Sequence, residues 1–196
     1  MEDIGHLWFE PDERIIGLEA LFEGFSFILK TFVEKGKKCK NYNADFYFEE
    51  TEIIYGTIFL SLQNYINKTS VDFLEVKLLE CNSPSQLYNI GSKLVASNTT
   101  QIRLIITLAN YFKHRDEKNK LFPPTEKCLK DVGLLQFSKK GDERYEDTLM
   151  IEGLLLLTNS ISDINHLLQI VKEWRSNLLE MCYDLQRQFL LNKNAL

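Results

Sequence analysis

The sequence predicts an all-α protein, an antiparallel bundle of about five to seven helices. Apolar residues recur at helical spacing in several long segments, and the alternation typical of strands is scarce. The 196 residues include only 9 Gly and 4 Pro, so long stretches lack helix breakers. One domain of this length can bury about 70% of its extended-chain surface. We therefore expect residues 1–196 to form a single helical domain.

Two long helices are expected in the first third of the chain. The first begins after Pro11, because proline suits the first turn and the two acidic residues that follow face the positive end of the helix dipole. Gly36, among lysines, is expected to end it. The second helix is expected from a cap at Asn43 to Asn67. Residues 71–81 fit a short helix or a strand, and the helix is the preferred interpretation.

Two further helices are expected in the middle of the chain. Residues 83–86, Ser-Pro-Ser-Gln, have the form of a capping box and predict a helix that continues to Val95. The polar run at 97–100 is expected to interrupt the helical structure. After it, residues 102 to about 115 have the apolar spacing of another helix.

The remainder of the chain is expected to hold a loop-rich insertion and the C-terminal helices. Residues 118–147 contain two of the prolines and one predicted short helix, from 126 to 132, capped by Thr125. Residues 147–192 carry a clear amphipathic stripe but are too long for one ordinary helix. We expect that segment to be divided at 160–163, which reads Ser-Ile-Ser-Asp.

Composition and charge restrict the function classes. A net charge of -5 and a pI near 5.3 argue against a general nucleic-acid coat protein, which relies on a positive field. The four cysteines lack paired spacing and there are only three histidines, so we expect neither a metal site nor a cofactor. The acidic start is unlike a signal peptide, and no apolar run approaches 18 residues. We expect a cytoplasmic protein without a membrane segment.

One predicted helix, residues 102–117, carries a narrow polar stripe. At about 100° per residue, its polar side chains fall within an arc of about 80° and apolar residues take most of the rest. The stripe consists of Arg103, Thr107, Asn110, His114 and Glu117. It fits either a solvated face of a buried helix or a polar site at the helix's carboxyl end, built on the neighbouring Asn110 and His114.

The segment from Ala109 to Glu117, with the sequence Ala-Asn-Tyr-Phe-Lys-His-Arg-Asp-Glu, resembles the signature region of the HEPN superfamily. More specifically, it resembles that of uncharacterised bacterial HEPN-like proteins with an aromatic residue at the fourth position. The resemblance covers these nine residues. It implies a homodimer of helical bundles and a metal-independent endoribonuclease from a toxin–antitoxin or defence system, with RNA as substrate and a cognate antitoxin protein as partner.

The resemblance also implies roles for individual residues. His114 would move the proton of the 2′-hydroxyl, and Asn110 would position the substrate. Ala109 stands where the family has an arginine, so a phosphate-binding cation must come from elsewhere, and Arg103 and Arg115 are the catalytic candidates. The remaining substrate-binding candidates on this segment are Thr107, Tyr111 and Lys113.

A non-catalytic HEPN-like module that binds nucleotide, RNA or a partner protein is the main alternative, and a structural interaction bundle is the third. Residues 103–144 hold ten Lys and Arg against six Asp and Glu, a local charge of +4 that would attract an anionic ligand. An enzyme should place a guanidinium within reach of His114, whereas a binding module needs only a cleft and a positive potential.

Overall fold

A computed structural model describes residues 7–38, 44–95, 97–115, 117, 121–138 and 149–193. Over these residues the chain is helical, with no named strand, which confirms the predicted all-α class. The elements are α1 Glu13–Lys38, α2 Ala44–Glu75, α3 Pro84–Leu87, α4 Gln101–His114, α5 Pro123–Asp131, a 3-10 helix Leu135–Ser138, α6 Leu149–Thr158 and α7 Asn165–Lys193.

Helix α4 forms the centre of the bundle. It packs against α2, α5, α6 and α7, while α1 lies against α2. Ile102, Leu104, Ile105 and Leu108 are almost fully buried, and each such side chain contributes about 1.5–3 kcal/mol when it leaves water. Because four helices surround it, most of α4 is buried. The predicted polar stripe is only partly present, since Thr107 is buried and Glu117 lies beyond the end of the helix at His114.

The approach of α6 to α4 depends on a glycine. A Cβ built on Gly153 would lie 2.5 Å from the nearest side-chain carbon of Leu108. The absence of a side chain at Gly153 therefore lets Leu108 fill the space beside α6, and this contact fixes how closely the two helices pack.

The chain between α3 and α4 differs from the sequence prediction. The helix that begins at Pro84 ends at Leu87 after one turn, so its expected continuation to Val95 is wrong. Gly91 has φ 109°, a left-handed conformation that favours glycine and turns the chain. Lys93 then forms an isolated antiparallel bridge with Thr100, immediately before α4.

Two helix boundaries also differ from expectation. Helix α2 runs past Asn67 to Glu75, so the first part of 71–81 is helical and the rest is irregular. Helix α1 passes through Gly36 to Lys38. The Asn43 cap lies outside the described residues.

The C-terminal half follows the prediction more closely. Helix α5 begins at Pro123 rather than 126, because two successive prolines have the backbone angle of a first turn. Thr125 consequently lies inside the helix, buried, and its expected capping role is wrong. The division of the last segment at 160–163 is confirmed by the gap between α6 and α7. None of the described helices combines the length and apolar character required to cross a membrane.

Candidate functional site

Thr100 fixes the beginning of α4. Its hydroxyl accepts a hydrogen bond from the backbone N–H of Arg103 at 3.2 Å and donates one to the carbonyl of Tyr88. The N–H of Gln101 donates to the carbonyl of Ser92 at 3.0 Å. Two of the amides that a helix N-terminus usually offers to an anion already donate within the chain. Side chains must therefore supply most of the polar contacts to a ligand at this end of α4.

A groove lies beside the first turn of α4, between the preceding loop and α5. Its volume is about 570 Å³, within the range of small-ligand sites. We call it the Arg103 groove, and its lining residues are Asn89, Ser97, Asn98, Thr99, Arg103, Pro124, Lys127, Cys128 and Asp131. The connection from α3 to α4, predicted to be helical to Val95 and interrupted at 97–100, forms one polar wall of the groove.

The described lining of the Arg103 groove includes two cations and one carboxylate. The Nη1 of Arg103 donates to the Oδ1 of Asn89 at 3.0 Å, which orients the guanidinium. Lys127 and Asp131 extend from α5, four residues apart on the same helix. Cys128 is buried, and burial raises the pKa of its thiol above the ordinary value. The thiol is therefore protonated near neutral pH and is not a reactive nucleophile.

The opposite end of α4 holds His114. Its side chain is half exposed, and Nδ1 lies 2.7 Å from the Oε1 of Glu117. This contact fixes the ring and sets Nδ1 against a carboxylate, so Nε2 is the nitrogen left to exchange a proton with a ligand. A histidine oriented by a carboxylate is chemically suited to general acid–base catalysis.

Arg115 anchors this same end of α4 to α2. Its guanidinium forms an ion pair with Glu52, whose side chain is only 7% exposed. The guanidinium also lies 4.7 Å from the centroid of the Phe112 ring, a cation–π contact. The charge of Arg115 is thus balanced by a buried acid, which reduces its value as a phosphate ligand.

The other candidates on α4 have different environments. Asn110 accepts a hydrogen bond through Oδ1 from the Nε2 of Gln63 on α2, at 2.8 Å. Thr107 is buried and donates to the carbonyl of Arg103 at 2.8 Å. Tyr111 is buried as well, whereas Lys113 is exposed. Thr107 and Tyr111 therefore face the core, Asn110 is half-buried, and Lys113 is exposed to solvent.

The predicted polar stripe is divided between the two ends of α4. Arg103 and His114 lie eleven residues apart on one straight helix, about 16 Å along its axis. Within one chain these two side chains cannot grip the same phosphate. The structure therefore places Arg103 in a groove of its own and leaves His114 with Glu117 at the other end.

Sequence reasoning missed several partners of these residues. Glu52 and Gln63 come from α2, and Asn89 and Lys127 line the Arg103 groove from outside α4. No local pattern indicates these contacts, since each joins segments distant in sequence. Burial of a charged side chain, as at Glu52, indicates that it has a partner, but the structure is needed to see that burial.

Comparison with protein-family models, with curated proteins and with solved structures finds no match to this chain. Membership of the HEPN superfamily remains a prediction that rests on residues 109–117. Among the described residues, no group of three or more His, Cys, Asp and Glu side chains is placed to hold a metal ion.

Proposed function

We propose that the chain is a non-catalytic, HEPN-like module that binds a phosphate-bearing ligand, RNA or a nucleotide, in the Arg103 groove. The observation that carries this proposal is the pairing of Arg103 and Lys127 in one open groove between α4 and α5. Among the described residues that line this groove, Asp131 is the single carboxylate. A guanidinium matches the geometry of phosphate oxygens, and a lysine adds a second positive charge.

The uncharged lining of the groove suits the rest of a nucleotide. Asn89, Ser97 and Asn98 carry amide or hydroxyl groups that can donate to and accept from a ribose or a base edge. The orientation of Arg103 by Asn89 means that less side-chain entropy is lost when phosphate binds. An RNA or nucleotide ligand accords with the cytoplasmic location expected from the sequence.

A second candidate function is metal-independent RNA cleavage at His114. The contact with Glu117 favours it, because a carboxylate-oriented imidazole is a suitable acid–base group. This candidate requires a cation near His114 in place of Arg115, which is bound to Glu52. A homodimer that contributes an arginine from its second chain would meet the requirement. A role in a toxin–antitoxin or defence system would follow only if the chain cleaves RNA in this way.

Fluorescence anisotropy with a short labelled single-stranded RNA tests the binding proposal, with ATP as competitor. We expect Arg103→Ala and Lys127→Ala each to weaken binding by about tenfold, the loss of one charge-assisted contact. Lys130→Ala is the matched control, since Lys130 is exposed on the same helix but lines a different depression. Equal losses in all three variants would show attraction to charge alone, and no binding by the wild type would contradict the proposal.

RNA cleavage in EDTA, with wild type and His114→Ala, separates the two candidates. Cleavage by the wild type that is lost in the variant supports the endoribonuclease. RNA that binds and remains intact supports the non-catalytic module.

A further inference from the structure

One wall of the Arg103 groove carries a carboxylate, that of Asp131 at the end of α5. Asp131 is exposed, and among the described residues no group forms a hydrogen bond or an ion pair with its carboxylate. Lys127, one turn earlier on the same helix face, does not pair with it either. An ionised carboxylate only accepts hydrogen bonds and repels phosphate. The part of a ligand that meets Asp131 must therefore present N–H or O–H donors.

The charges of Arg103 and Asp131 both act on the thiol of Cys128, which is buried in the groove lining. Burial is the main cause of the raised pKa of this thiol; the guanidinium of Arg103 lowers that pKa and the carboxylate of Asp131 raises it. Both side chains therefore lie close to Cys128. Lys127 and Asp131 are four residues apart, about 6 Å along the axis of α5. One nucleotide is long enough to place its phosphate at the cations and another of its groups at Asp131.

The lining of the Arg103 groove favours contacts with the edge of a base over stacking. None of its described residues is aromatic. Proteins that bind bases irrespective of sequence stack them on aromatic side chains. Without such a ring, a base is held through hydrogen bonds to the groups at its edge, and these groups differ between bases. Binding in this groove should therefore depend on the identity of the base.

Guanine is the standard base whose edge matches a carboxylate. Its Watson–Crick edge presents two neighbouring donors, the N1–H and the 2-amino group, and each carboxylate oxygen accepts from one of them. Adenine and cytosine present one amino group beside a ring nitrogen that accepts, and uracil presents one N–H between two carbonyl groups. These acceptors would lie against the carboxylate and be repelled. Two charge-assisted hydrogen bonds to the carboxylate are thus available to guanine alone.

Asn98 can provide a donor for the remaining polar group on this edge of guanine, the O6 carbonyl. The Oδ1 of Asn98 accepts a hydrogen bond from the Nζ of Lys93 at 3.5 Å. This contact leaves the amide N–H groups of Asn98, which lines the same groove, for an acceptor on the ligand. The O6 of guanine is such an acceptor, whereas adenine has an amino group at this position.

From these observations we propose that Asp131 is a specificity-determining residue that selects guanine, and that the ligand of the Arg103 groove is a guanine nucleotide. This inference rests on the proposed binding of RNA or a nucleotide and adds the identity of the base. The same guanine chemistry is present in free GTP and in a guanine residue of RNA, so the experiments use both.

Isothermal titration calorimetry in EDTA tests the preference among free nucleotides, because the chelator removes any divalent cation that would bridge phosphate and Asp131. GTP should bind the wild type about tenfold more tightly than ATP, a usual discrimination for a bidentate base contact. ITP, the analogue that lacks the 2-amino group, should lie between them. Equal affinities for GTP, ITP and ATP would overturn the inference and show that Asp131 meets a group common to all three, such as the ribose.

The variant Asp131→Asn separates base recognition from a structural role. Its amide accepts from the N1–H but presents an N–H to the 2-amino group, so the preference for GTP should disappear. XTP, the analogue with a carbonyl at that position, should bind the variant about tenfold more tightly than it binds the wild type. Glu126→Gln is the matched control, since Glu126 is exposed on α5 outside the described groove lining; it should keep the wild-type preference. Retained preference for GTP in Asp131→Asn would assign the recognition to another residue.

Fluorescence anisotropy with two labelled single-stranded RNAs identifies the source of the guanine. If the source is RNA, a strand with guanines should bind more tightly than an equally long strand without them, and Asp131→Asn should remove the difference. If GTP binds selectively and the two strands do not differ, the ligand is the free nucleotide. Binding of nucleotides and strands without any base preference contradicts this inference alone. Absence of binding by GTP, ATP and both strands contradicts the proposed function itself.

Discussion

The ring of Phe112 occupies the space that a side chain on Gly56 would need. A Cβ built on Gly56 would lie 2.2 Å from the nearest ring carbon, far inside a normal contact. One turn earlier on α2, Glu52 pairs with Arg115, which lies just beyond the end of α4. The close glycine contact and the buried ion pair thus hold the carboxyl end of α4, and with it His114, against α2.

Gly56→Ala should destabilise the protein by about 1–3 kcal/mol, the usual range for overpacking, because the half-buried ring of Phe112 has to move. Equilibrium urea unfolding would measure the change. Gly17→Ala is the control, since its Cβ would meet no atom of the described residues within 4 Å. This substitution should raise the free energy of unfolding by up to about 1 kcal/mol. Dilute protein avoids any contribution from association. Equal stabilisation by both alanines would contradict the close packing at Gly56.

Loss of Arg115 should be costly for folding. Arg115→Met removes the ion-pair partner of Glu52 while the carboxylate stays buried, and such changes typically cost about 3–5 kcal/mol. The double variant Glu52→Gln with Arg115→Met should recover much of the loss. A double-mutant cycle from urea unfolding measures the coupling. A cycle with no coupling energy would show that the pair does not stabilise the end of α4.

The sequence predicted the helices better than their ends. Apolar spacing and the break at 160–163 identified α4, α6 and α7, because both signals are local. The helix expected to reach Val95 failed because Gly91, with φ 109°, redirects the chain. Thr125 failed as a cap because Pro123 and Pro124 begin the helix earlier. In the first case the backbone preference of glycine outweighed the apolar pattern, and in the second that of proline outweighed the capping signal.

The candidate site was less predictable than the fold. The polar stripe on α4 was predicted only in part, since Thr107 is buried and Glu117 lies beyond the end of the helix. The function of the stripe also depends on contacts across the bundle. Arg115 is bound by Glu52 and Asn110 by Gln63, both from α2. The Arg103 groove arises where α5 and an irregular loop meet α4. Spacing along one helix carries no information about such neighbours.

Thr100→Ala should lower stability by about 1–2 kcal/mol, because it removes the N-cap of the central helix. The same hydroxyl also donates to the carbonyl of Tyr88. Thr100→Ser keeps the hydroxyl and should lose much less. Urea midpoints of both variants provide the comparison, and equal losses in serine and alanine would show that the methyl group, rather than the cap, matters.

Stability should fall at alkaline pH through Cys182. Burial raises the pKa of its thiol from 9.0 to about 11 in the folded chain. Below pH 9 both folded and unfolded states keep the proton, so this group leaves stability unchanged. Between about pH 9 and 11 the unfolded state alone loses it, which should cost about 1.4 kcal/mol per pH unit. Urea unfolding across the same pH range should show a smaller loss of stability per pH unit in Cys182→Ala than in the wild type. The same pH dependence in both proteins would contradict the role of Cys182.

Salt dependence should reveal how the Arg103 groove holds RNA. If Arg103 and Lys127 each contact a phosphate, the slope of log affinity against log salt should shrink by about 0.7 for each alanine substitution, as for a single strand. Asn89→Ala should weaken binding only a few-fold and leave the slope unchanged, because Asn89 orients Arg103 without carrying charge. Anisotropy titrations at several salt concentrations measure both quantities. A slope unaffected by Arg103→Ala would place the phosphate elsewhere, whereas a reduced slope with Asn89→Ala would mean that Arg103 depends on this hydrogen bond to reach the phosphate.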